Sequence, residues 1–105
     1  MSVGVGTHAY MAPEVERGGR YGAKVDVYSL GVIVVELWCP FATGHERLLA
    51  LNGCKQGAVP GRMAAEHPVA ARLAAACLQS DPEQRPSALE VRVTASHMRC
   101  ARREV

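Results

Sequence analysis

The stretch from Lys24 to Trp38 reads Lys-Val-Asp-Val-Tyr-Ser-Leu-Gly-Val-Ile-Val-Val-Glu-Leu-Trp and is apolar almost all round. A segment with so little polar face is stable only where neighbours cover it on every side. Its β-branched run, Val32 to Val35, would by itself suit a strand. Length decides otherwise, because about 15 residues without a turn signal are long for a strand and ordinary for a helix. Pro40 marks its end, and Gly31 inside it implies that another segment packs closely there. This rod is expected at the centre of whatever the chain builds.

The sequence has 105 residues, enough for one small domain or part of a larger one, so missing neighbours would be felt. A net charge of +2 creates no strong field, and neither nucleic acid nor an acidic membrane is expected as a partner. No charged-then-apolar leader opens the sequence, and no apolar run reaches about 18 residues. Four cysteines and four histidines are scattered singly, without C-x-x-C or H-x-x-x-H spacing, so no metal site is assigned. The cysteines read as reduced, buried thiols of an intracellular protein, and a cytoplasmic location is expected.

Around the rod the signals are helical. Ala12-Pro13-Glu14-Val15 predicts a short helix with proline in its first turn, stopped by Gly18-Gly19. Thr43-Gly-His-Glu46 has the pattern of a capping box before Leu48, Leu49 and Leu51, with Asn52-Gly53 as the expected stop. Pro68 to Gln79 carries Val69, Leu73 and Cys77 at helical spacing among alanines that allow close contact. Ser87-Ala-Leu-Glu90 repeats the capping box before Val91 and Val93. The basic tail Arg99-Cys-Ala-Arg102-Arg103 is expected to be solvated and frayed. With strand signals absent elsewhere, the predicted fold class is all-α with four main helices.

Three motifs narrow this further. Gly6-Thr7-His8-Ala9-Tyr10-Met11-Ala12-Pro13-Glu14 resembles the end of a protein kinase activation segment, G-T-x-x-Y-M-A-P-E. Tyr21 to Gly31 resembles the start of the large central helix of the kinase C-lobe, and Asp81-Pro-Glu-Gln-Arg-Pro-Ser87 the turn before the last helix of that family. They occur in the family's order, and the resemblance covers roughly residues 4 to 97. Pro40-Phe41-Ala-Thr43-Gly-His-Glu46-Arg47 is similar to kinases that phosphorylate the alpha subunit of translation initiation factor 2. The resemblance implies an end of activation segment and P+1 loop at 1–20, a helical C-lobe subdomain at 21–97 and a tail at 98–105.

It also implies roles for individual residues. Thr7 would lie where substrate hydroxyls approach and would favour serine/threonine over tyrosine; the plain alternative is a turn threonine. Thr43 and Glu46 would contact the protein substrate through the 43–52 helix, although both are equally satisfied as a helix cap. Glu14 and Arg85 match the family's ion pair between activation segment and helical base, a structural role, since a carboxylate partly out of water needs a charged partner. Asp26 matches the aspartate that anchors the catalytic loop, and it would also suit the positive end of a helix dipole. Tyr28 stands where the family more commonly has tryptophan.

Phosphoryl transfer needs a phosphate-cradling loop, a strand lysine, H-R-D-x-x-x-x-N and D-F-G. None occurs in these residues: Gly4-Val5-Gly6 is an incomplete glycine pair, and Asp26 and Asp81 are the only aspartates. No catalytic, cofactor-binding or metal-binding residue is therefore assigned, although the intact family uses ATP and Mg. The chain by itself is expected to transfer no phosphate. The rod's uncovered face is expected to take up the missing kinase segments or to self-associate. The alternative is a catalytically dead docking module.

Overall fold

A computed structural model describes residues 10–19 and 22–104, the side chains of 98–104 excepted. Among them the elements run α1 (Pro13–Glu16), α2 (Ala23–Trp38), α3 (Gly44–Lys55), α4 (Gly61–Glu66), α5 (Pro68–Cys77), a 3-10 turn (Pro82–Gln84) and α6 (Ala88–Glu104). No strand occurs among the described residues. The fold is all-helical.

The helix ends are set by local chemistry. Ser87 Oγ accepts from the Glu90 amide at 3.1 Å and the Glu90 carboxylate accepts from the Ser87 amide at 2.9 Å, so both halves of that capping box form. This pairing, led by the Ser87 amide, holds the Glu90 carboxyl below its usual value. Thr43 Oγ1 accepts from the Glu46 amide at 3.0 Å and caps α3. α1 ends at Gly18, whose φ of 84° lets its amide reach Val15 O at 2.9 Å and the Gly19 amide reach Glu14 O at 2.6 Å.

α3 differs from the expected stop. It runs through Asn52-Gly53 to Lys55 and closes at Gly57, whose φ is 78°. There the Gly57 amide reaches Cys54 O at 2.9 Å and the Ala58 amide reaches Gly53 O at 3.0 Å. The additional turn buries Cys54, which gives it a reason to persist. α4 is a further helix that the four-helix expectation lacked. The backbone of α6 continues through 98–104, where fraying was expected, and is helical there.

The core forms between α2 and α5. A Cβ placed on Gly31 would lie 2.7 Å from Cys77 Cβ and 3.3 Å from Ala74 O, so the two helices approach at a distance that only glycine permits. Tyr28, Val32 and Val35 of α2 pack with Ala70, Ala71 and Ala74 of α5, Met63 of α4, and Leu51 and Cys54 of α3. Val27, Leu73, Cys77 and Val91 bring α6 onto the same base. Each fully buried aliphatic side chain stabilises such a core by roughly 1.5–3 kcal/mol. Val69 and Val93 are exceptions to the expected apolar faces: both are exposed, while Ala70, Leu73, Ala74 and Cys77 face inward from α5.

α2 is not covered all round. Ala23, Asp26, Leu30, Ile33 and Leu37 recur at helical spacing and form one exposed stripe, with Leu37 74% exposed. The opposite face is fully packed.

Candidate functional site

Arg85 lies just after the 3-10 turn, which Asp81 caps by accepting from the Glu83 amide at 3.0 Å. The arginine is only 2% exposed, and a guanidinium so far from water must place all five of its donors. It does. Nη1 and Nη2 donate to Glu14 Oε2 and Oε1 at 2.7 and 2.8 Å, a bidentate fork. The remaining donors reach Gln79 O at 2.7 Å, Lys24 O at 3.0 Å and Ser80 O at 3.3 Å. These bonds from Arg85 hold the Glu14 carboxyl below the ordinary carboxylate value. The Arg85 carbonyl in turn accepts from Lys24 Nζ.

The ring of Tyr28 completes this base. Arg85 Cζ stands 5.1 Å and Lys55 Nζ 5.7 Å from its centroid, within cation–π range. Its hydroxyl donates to Cys54 O at 3.4 Å, and burial pushes the phenol up to about 12. The Tyr28 phenol is therefore protonated at neutral pH. The arrangement joins α1, α2, α3 and the α5–α6 connection.

The second region is the outer face of α3. His45, Glu46, Leu48, Leu49 and Asn52 are exposed along it, while Leu51 and Cys54 point inward. Leu48 and Leu49, 42% and 58% exposed, make an apolar centre flanked by Thr43 and Glu46. At the first turn, Arg47 Nε donates to Glu36 Oε2 at 2.8 Å, and Arg47 Nη2 donates to the Tyr10 hydroxyl at 3.3 Å. That hydroxyl donates to Glu36 Oε1. Burial, and next the bond to Glu36, raise the Tyr10 pKa, while the same carboxylate raises that of Arg47.

The structure thus brings Glu14 and Arg85 together and sets Thr43 and Glu46 at the exposed start of α3. Asp26 is exposed on the first turn of α2, and Thr7 lies outside the described residues. Sequence reasoning assigned no role to Glu36. A carboxylate in an otherwise apolar helix was its signal, because such a group needs a partner when half-buried.

Asp81 is used as a cap, Asp26 belongs to another element, and among the described residues no group of three His, Cys, Asp or Glu side chains converges. Among them, too, no helix is long and apolar enough to cross a membrane.

Comparison with known proteins agrees with this architecture. The family described as Protein kinase domain matches residues 1–95. The chain is 42% identical over 87 residues to eukaryotic translation initiation factor 2-alpha kinase 1 of Mus musculus, covering 83% of this chain and 14% of that protein. It is 41% identical over 88 residues to the eIF-2-alpha kinase GCN2 of Arabidopsis thaliana, covering 82% of the chain and 7% of that protein. With eukaryotic translation initiation factor 2-alpha kinase 3 of Rattus norvegicus it shares 36% over 87 residues, or 83% of the chain and 8% of that protein. The chain therefore spans only a small part of the length of these relatives. With its helical base, its Glu14–Arg85 fork and a match over most of its residues, this chain belongs to the protein kinase domain family.

Proposed function

We propose that this chain is the helical C-terminal part of a serine/threonine kinase domain and that it receives a protein substrate, the alpha subunit of translation initiation factor 2, on α3. The observation that carries this reading is the exposed Leu48–Leu49 centre on a helix whose other face is packed, in a chain similar to kinases named for that substrate. Thr43 and Glu46 border the docking face, and Thr7 belongs to the approach of the acceptor hydroxyl. Residues 1–20 act as the end of the activation segment, 21–97 as the helical subdomain and 98–105 as a tail, in a cytoplasmic protein. Glu14 and Arg85 tie the first part to the second, and Asp26 anchors the catalytic loop of an intact domain. ATP and Mg are held by residues of other kinase segments, so the present residues transfer no phosphate by themselves.

The test uses the purified chain, recombinant alpha subunit and labelled ATP with Mg. Binding without phosphate incorporation is expected, and Leu48→Asp with Leu49→Asp should weaken it at least about tenfold, the loss typical of a central apolar contact. Phosphate turnover, or unchanged binding by the double variant, would overturn the proposal.

A second reading rests on the stripe of α2. Leu30, Ile33 and Leu37 together make an apolar strip of the kind that seeks cover. It packs against other kinase segments in a longer chain, and against a second copy when the chain is alone. Sedimentation should then be concentration-dependent, and Ile33→Lys with Leu37→Lys should leave a monomer. A monomeric parent chain at high concentration contradicts the second-copy reading.

A further inference from the structure

α3 makes few close backbone approaches to the other helices, and its inward anchors are Leu51 and Cys54. Its charged side chains add attachments at both ends, and both reach the same short segment. At the first turn Arg47 meets the Tyr10 hydroxyl and Glu36. At the last turn Lys55 Nζ donates to Met11 O and to Glu16. Residues 10–16 are also fastened to α2, since Ser29 Oγ donates to Tyr10 O at 2.6 Å and the Tyr10 hydroxyl donates to Glu36. The segment that carries Glu14 of the fork is therefore bonded both to α2 and to the two ends of α3.

We infer that Arg47 and Lys55 are positioning residues: a two-point clamp through which the placement of α3 and the order of residues 10–16 depend on each other. The inference rests on the docking reading of α3 for its functional consequence, though the clamp itself does not. Two features make the link more than a pair of surface contacts. Arg47 engages a carboxylate that is itself bonded to Tyr10, so loss of the guanidinium disturbs a three-member network. Lys55 also stands over Tyr28, which places the far end of the clamp on the ring that Arg85 contacts. A protein bound on α3 then favours the ordered state of residues 10–16, and order in that segment tightens binding by the same factor.

The experiment is hydrogen exchange on the full chain, read at the amides of Met11, Ala12 and Glu14 to Glu16. Arg47→Ala and Lys55→Ala should each speed exchange there about two- to fivefold, the range expected for a partly exposed ion pair. Combining Arg47→Ala with Glu36→Gln should add little to either alone, and Arg47→Lys should restore part of the protection. Ser87→Ala, which weakens α6 instead, should leave these amides unchanged. Unchanged exchange at residues 10–16 in Arg47→Ala would sink the clamp. With the alpha subunit of initiation factor 2 as probe, protection should spread from α3 to residues 10–16 in the parent and stay on α3 in Arg47→Ala/Lys55→Ala. Equal spread in that double variant also overturns the inference. Absence of binding by the parent defeats the docking reading and leaves the clamp to be judged on the unliganded rates.

Discussion

Arg85→Ala is expected to leave the chain without a cooperative folded baseline in urea. The substitution strips five hydrogen bonds from one buried point and abandons the Glu14 carboxylate where water reaches it poorly. Removing one partner of a buried pair costs about 3–5 kcal/mol, against a total of about 5–15 kcal/mol for an ordinary domain. Arg85→Lys keeps the charge but loses the planar fork, so its loss should be intermediate. Glu14→Gln should cost less than either, because Arg85 keeps its three carbonyl acceptors.

The same pair predicts a pH dependence. Glu14 has its folded pKa lowered by Arg85, so its contribution is present above the usual 4.5 and is lost as pH falls through the lower folded value. Glu90, lowered by its bonds with Ser87, adds to the same acid limb. Glu14→Gln should therefore shrink the acid limb of a stability–pH curve without erasing it. An unfolding free energy for Arg85→Ala within about 0.5 kcal/mol of the parent, the scatter of ordinary surface substitutions, would show that the fork is not what holds the base.

The second large effect is expected at Gly31. In an open helix, alanine would be favoured over glycine by about 0.8–1 kcal/mol. Here the new methyl would meet Cys77 Cβ at 2.7 Å, and overpacking of that kind costs about 1–3 kcal/mol. Strain outweighs propensity, so Gly31→Ala should be a net loss by chemical denaturation. Gly31→Val forfeits the propensity gain and adds two more methyls, so it should separate α2 from α5 at a loss of about 3 kcal/mol or more. Cys77→Ala should not rescue Gly31→Ala, because it retains the clashing Cβ, whereas Cys77→Gly should. Equal behaviour of those two double variants would refute the close-approach explanation.

The features best legible in the sequence were those with a local cause. The rod was bounded correctly because its apolar run is long and Pro40 follows it. Ser87 with Glu90 predicted a capping box that forms in both directions. Gly31 signalled close packing before its neighbour was known. α4 was missed because Met63 is its one buried residue, which gives no periodicity, and because its start has no side-chain cap. The end of α3 was misplaced for a different reason. Gly53 and Gly57 are the same letter, and only the folded backbone distinguishes a helical glycine from one at φ 78°. Glu36 was visible as an odd charge in the rod, but its partners are 11 and 26 residues away, beyond what spacing along one helix can reveal.

The row of Leu30, Ile33 and Leu37 has a thermal consequence. Water ordered over such a row is released when a partner settles on it, and the heat capacity of the system falls as it does so. The free energy gained then shrinks on cooling, because apolar hydration loses its penalty at low temperature. An assembly sealed along this helix would be cold-sensitive: held together in warmth and loosened on ice.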